Sequence, residues 1–296
     1  MDYYAHGKLL LTGEYVVLHG AKSLTVPTKK GQKLSVEPTS ENYLEWSSVD
    51  VHGDEWFSGT FDASGHCLTS SNSKIAEGLS LFLQTAKRLG GKDFVGQKAM
   101  STLEFERDWG LGSSSTLTSL LGQWLEIEPM TLHWECSNGS GYDVAIATHS
   151  QAGIYQKLER NHHLDLVAYE PNFSKDLYFV HLNQKQNSSE DVRAFLRDHP
   201  ITSQEVNAVN QLTEEWLNAS TLSRLETVIN QHEELLSQIL NRPTVKSSLF
   251  SDFSGSIKSL GAWGGDFVLA TGEASKSYFP SKGYQTVLSW SEMVLS

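Results

Sequence analysis

Gly110-Leu111-Gly112-Ser113-Ser114-Ser115 is the segment of this chain best suited to hold an anion. Its glycines let the backbone approach a ligand closely and take positive φ. Its serines offer hydroxyl donors and helix caps. The spacing of Leu117, Leu120, Leu121 and Leu125 predicts an amphipathic helix that begins around Ser113 to Ser115. Such a start adds N–H groups with no helical partner and the positive end of the helix dipole, and phosphate is the natural ligand for that combination. Taken alone, the segment reads equally well as a flexible turn with a serine cap. No GK[ST] follows the glycines, so it is not a Walker A loop, and it does not match the GxGxxG dinucleotide pattern.

Other segments carry residues of the same chemical interest. In His6-Gly7-Lys8-Leu9-Leu10-Leu11-Thr12-Gly13-Glu14-Tyr15, a lysine and a glutamate bracket an apolar strand. By itself this reads as exposed charges at strand ends. In Gly139-Ser140-Gly141-Tyr142-Asp143-Val144-Ala145, Asp143 follows a tight turn. It could cap a helix or stand as a base toward a substrate proton. In Gly261-Ala262-Trp263-Gly264-Gly265-Asp266, the glycines permit close backbone approach or simply a tight turn.

These segments need elements to hold them. Residues 8–12 read as a strand ending at Gly13, and residues 14–18 as its continuation to a turn at His19-Gly20. Residues 33–36 alternate like a half-buried strand, and 46–61 read as a hairpin with Gly53 and Gly59 as turn residues. Ile75, Leu79, Leu81, Phe82, Ala86 and Leu89 mark a helix face, with Ser73 as N-cap and Gly90-Gly91 as the stop. A short strand is expected near 102–105. In the second half, 177–182, 267–270 and 285–289 read as strands, and 202–219 and 221–240 as helices. Pro171 and Asn172 interrupt the chain where the pattern changes. The expected domains are therefore 1–172 and 173–296.

Composition limits the function further. With 39% hydrophobic and 20% charged residues, the 296-residue chain is globular and long enough for two domains. A net charge of -12 argues against nucleic acid as a partner. No apolar run is long enough to span a bilayer, and the first residues lack the features of a signal peptide, so no membrane and a cytoplasmic setting are expected. Cys67 and Cys136 form no CxxC pair and read as two reduced thiols. His162-His163 reads as an exposed turn and not a metal site.

In chain order, HGKLLLTGEYVVLHG, WGLGSSST, GSGYDVA and GAWGGDF resemble the sequence signature of the GHMP kinases, named for galactokinase, homoserine kinase, mevalonate kinase and phosphomevalonate kinase. Residues 185–189 resemble that family's substrate-side turn. The resemblance implies an α+β fold of two domains. The N-terminal one would be like ribosomal protein S5 domain 2 and would bind ATP phosphates. The C-terminal one would be ferredoxin-like. It implies ATP and Mg²⁺ as cofactors and a small-molecule alcohol as substrate, with homodimers common among relatives. ATP phosphates would lie on Gly110, Leu111, Gly112, Ser113, Ser114 and Ser115, and Ser114 would help to hold Mg²⁺. Asp143 would take the proton of the substrate hydroxyl. Lys8 would lie beside that hydroxyl and the γ-phosphate. Glu14, His19, Ser188, Gly261, Ala262 and Gly264 would face the substrate together with Lys8.

Several positions depart from the family pattern. Asp108-Trp109 replaces the usual proline-containing lead into the phosphate loop. Trp263 stands where a small residue is usual, and Ser115 where alanine is usual. The metal-binding glutamate of mevalonate kinases has Leu132 at its offset, with Glu135 nearest and read as structural. Mevalonate is the favoured acceptor, because phosphomevalonate should want several basic side chains. Lys and Arg total only 23, with Lys8, Lys29, Lys30, Lys185 and Arg193 as the candidates. Phosphomevalonate kinase is the close alternative. A catalytically silent binding or regulatory protein of the same fold is the alternative from another class.

Overall fold

The computed structural model describes residues 1–184, 195 and 200–295. Ser188, Lys185 and Arg193 lie outside the described residues. The chain forms two compact units. Met1–Gly7, Lys30–Arg107 and Leu111–Ser150 make the first, and Lys8–Lys29, Asp108–Gly110 and Gln151–Ser296 the second. Strands β1 (Asp2–Leu10) and β2 (Ser23–Pro38) run through both. The units are thus discontinuous, whereas 1–172 and 173–296 are contiguous segments, and that division stays a proposal.

In the first unit, β3 (Leu44–Val49) and β4 (Glu55–Phe61) form a hairpin, with β5 (Cys67–Ser70) paired outside β4. β6 (Gln97–Leu103) lies parallel to β3 and antiparallel to residues 32–38 of β2. Alternation on β3 and β4 turns Trp46, Phe57 and Phe61 inward. They join one core cluster with Ala76, Leu79, Leu83 and Ala86 of α1 (Ser73–Arg88). The apolar stripe of α1 therefore passes through Leu83 and leaves Leu81 at 46% exposure, a shift from the face expected from sequence. Asn72, not Ser73, caps α1: its side chain accepts from Ile75 N. Gly53 lies in the hairpin turn, but Gly59 sits inside β4.

In the second unit, residues 23–25 of β2 pair with β7 (Gly153–Leu158), and β7 pairs with β8 (Asn161–Leu166). His162 and His163 thus lie on a strand and not in a turn. The His162 ring stacks on Tyr155 at 5.5 Å, and His163 pairs with Asp165 at 3.0 Å. A separate antiparallel sheet has the order β10-β11-β9-β12, with β9 Leu177–His181, β10 Ile257–Ser259, β11 Phe267–Thr271 and β12 Val287–Ser289. Among the described residues, the helices Ser203–Leu217, Leu222–Leu240 and Val245–Leu249 lie between β9 and β10, and Ser275–Ser281 lies between β11 and β12. This is the βαββαβ order of a ferredoxin-like unit. The fold class is α+β, as expected.

Residues 14–18 are not a strand. Tyr15 has φ 64, which no extended strand tolerates, and Val16–His19 is a 3-10 turn closed by Gly20. No helix among the described residues is long and apolar enough to cross a membrane.

Candidate active site

In the first unit, α2 (Ser113–Leu125) begins directly after the Gly-Ser loop. Gly112 takes φ 90 at the N-cap, a conformation that an L side chain resists, and it offers no side chain to cap the helix. Ser115 is buried, and its hydroxyl donates to Gly112 O at 2.8 Å. It braces the turn from inside. Thr116 donates to Gln32 Oε1 at 2.6 Å and so ties the first turn of α2 to β2. Ser114 is exposed. An exposed hydroxyl at a helix start with no side-chain cap is a ready place for an anion.

Asp143 lies in the first turn of α4 (Tyr142–His149), which follows Gly141 at φ 82. It is half-buried, and its Oδ1 accepts from Val144 N at 3.0 Å. Helix α4 packs on α2, and Thr148 Oγ1 donates to Ser119 Oγ at 3.3 Å. Both elements belong to the first unit, so Ser114 and Asp143 are carried by one packed pair of helices. Glu135, on α3 (Pro129–Cys136), is engaged by Arg88 at 2.7 Å, and Leu132 is fully buried in the core. Among the described residues, no group of three or more His, Cys, Asp or Glu side chains is placed to hold a metal ion.

In the second unit, the opening motif is not the pair of exposed charges that its local sequence suggests. Lys8 is 9% exposed, and its Nζ donates to Gly110 O at 2.9 Å. Gly110 has φ 65. A Cβ built there would lie 2.3 Å from Asp266 Oδ2. Only a residue without a side chain lets the Asp266 carboxylate come so close. Asp266 is itself at φ 52, with its N–H donating to Gln184 O and its carbonyl accepting from Leu182 N, so it cannot easily give way. Gly110→Ala is expected to destabilise the protein by about 1–2 kcal/mol from the left-handed backbone alone. The clash adds to that loss, and urea denaturation beside wild type measures both.

Glu14 is 1% exposed and points inward. Lys258 Nζ donates to Glu14 Oε1 at 2.6 Å and lies 3.1 Å from Glu233 Oε1. Ser259 Oγ donates to Glu233 Oε2 at 2.9 Å. His232 Nε2 accepts from Gly13 N at 3.0 Å. Burial pushes the Glu14 carboxyl up to about 7 against the pull of Lys258, and pushes Glu233 up as well. Burial, with Lys258 nearby, holds His232 well below its ordinary value. The expectation that Glu14 faces the substrate therefore meets a side chain committed to an interior ion pair.

Lys258 and Ser259 lead into the glycine-rich loop. Gly261 and Gly264 take φ 71 and 80. Between them Ala262 and Trp263 are buried. Trp263 is an anchor: its backbone N–H donates to Tyr15 Oη at 2.8 Å and its Nε1 to Pro243 O at 3.0 Å, and its ring joins Tyr15, Val16, Phe195 and Leu240 in one core cluster. A large side chain thus stands in this loop because it is buried beneath it. His19 lies at the end of the 3-10 turn with its ring edge-on to Phe195 at 5.8 Å, and burial lowers its pKa. Of the other expected cations, Lys30 donates to Glu104 O at 3.0 Å in the first unit.

Nothing in the sequence singles out Lys258, Glu233, His232 or His181. Each reads locally as an ordinary strand or helix residue. Asp266 closes the GAWGGD motif, which was the one signal that could have singled it out.

No protein-family model matches this chain, and no curated protein matches it. Its fold is similar to that of a Lin0012 protein from Listeria innocua, at 16% identity over 97% of this chain and 96% of that one, with a TM-score of 0.73. It is similar to a Streptococcus pneumoniae phosphomevalonate kinase in complex with phosphomevalonate and AMPPNP, at 16% identity over 100% and 98%, with a TM-score of 0.69. It is similar to a Methanococcus jannaschii mevalonate kinase, at 15% identity over 95% and 94%, with a TM-score of 0.68. The fold is that of the GHMP kinases. Within that fold, the likeness to a mevalonate kinase and to a phosphomevalonate kinase extends over nearly the whole chain.

Proposed function

We propose that this protein is an ATP-dependent kinase that transfers the γ-phosphoryl group to a hydroxyl of a small molecule, with mevalonate as the favoured acceptor and phosphomevalonate as the alternative. The observation that carries the reading is the helix start at Ser113–Ser115, with the Ser114 hydroxyl exposed and no side-chain cap, in a chain of this fold. Gly110 to Ser114 would receive the phosphates through backbone N–H groups and the Ser114 hydroxyl. Ser115 would contribute by bracing Gly112 and not by direct contact.

Mg²⁺ fits the residues present. Ser114 would supply one oxygen, in keeping with an ion that usually takes few protein ligands and fills its remaining positions with phosphate oxygens and water. When bound, the ion would neutralise charge on the phosphates. Glu135 is committed to Arg88 and is not needed for this arrangement.

In the transfer, the acceptor oxygen forms a bond to the γ-phosphorus while the bond from that phosphorus to the ADP oxygen breaks. The proton of the acceptor hydroxyl passes to Asp143. Lys8 would place positive charge beside the transferred group, where phosphoryl transfer depends mostly on positioning and charge neutralisation. Mevalonate is favoured over phosphomevalonate because Lys258, the cation nearest in sequence to the glycine-rich loop, is held between two buried carboxylates. It is not available for a second phosphate.

The test is Mg²⁺-dependent ADP release with mevalonate, phosphomevalonate, homoserine and galactose. Turnover of mevalonate above the others is the expected result. Turnover of phosphomevalonate alone would reverse the order of the two acceptors. ATP binding with no turnover over a broad alcohol panel would overturn the kinase reading in favour of a silent binding protein.

A further inference from the structure

Given the reading of the Gly-Ser loop as a nucleotide loop, we propose that Trp109 and His181 form a clamp that holds the lead-in of that loop, Asp108–Gly110, in its nucleotide-binding shape. They are positioning residues, and the ligand class that they serve is a nucleoside triphosphate.

The lead-in lacks the proline that would restrict it, and it contains a glycine. Its backbone freedom must be removed by contacts instead. The second unit supplies them at each residue. His181 and Phe267 face each other in the register of β9 and β11, with ring centroids 5.1 Å apart. On this platform rests Trp109, edge-on to Phe267 at 5.5 Å and 6.3 Å from His181. His181 Nε2 lies 3.4 Å from Asp108 O. A carbonyl oxygen only accepts, so Nε2 carries the hydrogen. Lys8 Nζ donates to Gly110 O, and the Asp266 carboxylate packs against the bare face of Gly110.

The carbonyls on both sides of Trp109 are therefore each held by a side chain, and the ring between them is seated on a sheet. His181 is 4% exposed in a strand whose other residues, Leu177 to Val180, are all buried and none of them charged. Burying an imidazole there is costly unless its N–H finds an acceptor. Asp108 O is that acceptor. The proposed chemistry assigns this histidine no other task.

The experiment uses the full-length chain and reads ATP affinity by calorimetry and backbone hydrogen exchange over residues 108–112 without nucleotide. Trp109→Ala is expected to raise the Kd for ATP roughly tenfold, as follows if the binding-competent fraction of the loop falls to about a tenth, while Trp109→Phe stays within roughly twofold of wild type. Exchange at 108–112 should be faster in Trp109→Ala. His181→Ala should move both readouts in the same direction, and His181→Asn, which keeps an N–H donor, should recover part of the loss. Trp109 is half-buried, so its variants keep the test open should His181→Ala fail to fold. If wild type and Trp109→Ala bind ATP equally and exchange equally, the clamp is overturned. If wild type binds no ATP, the kinase reading falls, and the nucleotide role of the clamp falls with it.

Discussion

Asp143→Ala is expected to lower turnover by about 10²–10⁴-fold, the usual contribution of a positioned general base. The fold should survive the change. Asp143 sits in the first turn of α4, and its own hydrogen bond goes to the next backbone N–H. Removing a negative charge from a helix start costs only about 0.3–1 kcal/mol. A large loss of kcat with a nearly unchanged melting temperature would therefore report on chemistry and not on folding. Asp143→Asn refines the result, because the amide keeps an acceptor for Val144 N but cannot take a proton. Turnover within tenfold of wild type in Asp143→Ala would remove Asp143 from the role of base.

Lys258→Met is expected to destabilise the protein by about 3–5 kcal/mol, the range for breaking a buried ion pair by removing one partner. Lys258 is fully buried, and its Nζ lies within ion-pair distance of both Glu14 and Glu233. Without the cation, two buried carboxyl groups face each other, and each must be kept neutral or hydrated. Urea denaturation measures the change. A loss below about 1 kcal/mol, the scale of a surface pair, would contradict the arrangement.

The same cluster predicts a pH dependence. Glu14 titrates near 4.5 in the unfolded chain and about 7 in the folded one. Between these values the native state binds more protons than the unfolded state, so this group makes stability fall as pH rises through that window. His232 acts in the opposite sense. Its folded pKa lies well below 6.5, so its contribution is lost as pH falls below 6.5. Whole-protein stability mixes the two, and a comparison with Glu14→Gln separates them. Relative to wild type, Glu14→Gln should gain stability steadily from about pH 4.5 to about pH 7 and hold that gain above. A difference between the two proteins that is flat with pH would show that Glu14 does not titrate in this window.

Much of the local structure was legible in the sequence. The helices expected over 202–219 and 221–240 form over Ser203–Leu217 and Leu222–Leu240, and the structure adds that Thr202 and Thr221 cap them, Thr202 in a reciprocal pair with Glu205. The start of α2 falls at Ser113, and β9 and β11 fall on their apolar runs. These features depend on neighbours within a turn or a strand, and such neighbours are visible in a linear text. The exceptions differ in cause. Val16–His19 has a strand-like composition, but the positive φ of Tyr15 breaks the extension. Leu81 and Leu83 differ by two positions on α1, and only packing against β3 and β4 decides which of them is inside.

The start of α2 behind the Gly-Ser loop, the period of the helices and the order of motifs that resembles a kinase family were thus readable from the chain alone, because each is written in residues close together along it. Tertiary structure alone decided that Glu14 meets Lys258 across 244 positions, that His181 reaches Asp108 across 73, and that Trp263 is an anchor under the glycine loop. A lone glutamate, lysine or histidine in a strand reads as a solvated group. Only the fold, by removing water and bringing a partner to it, turns it into part of a site.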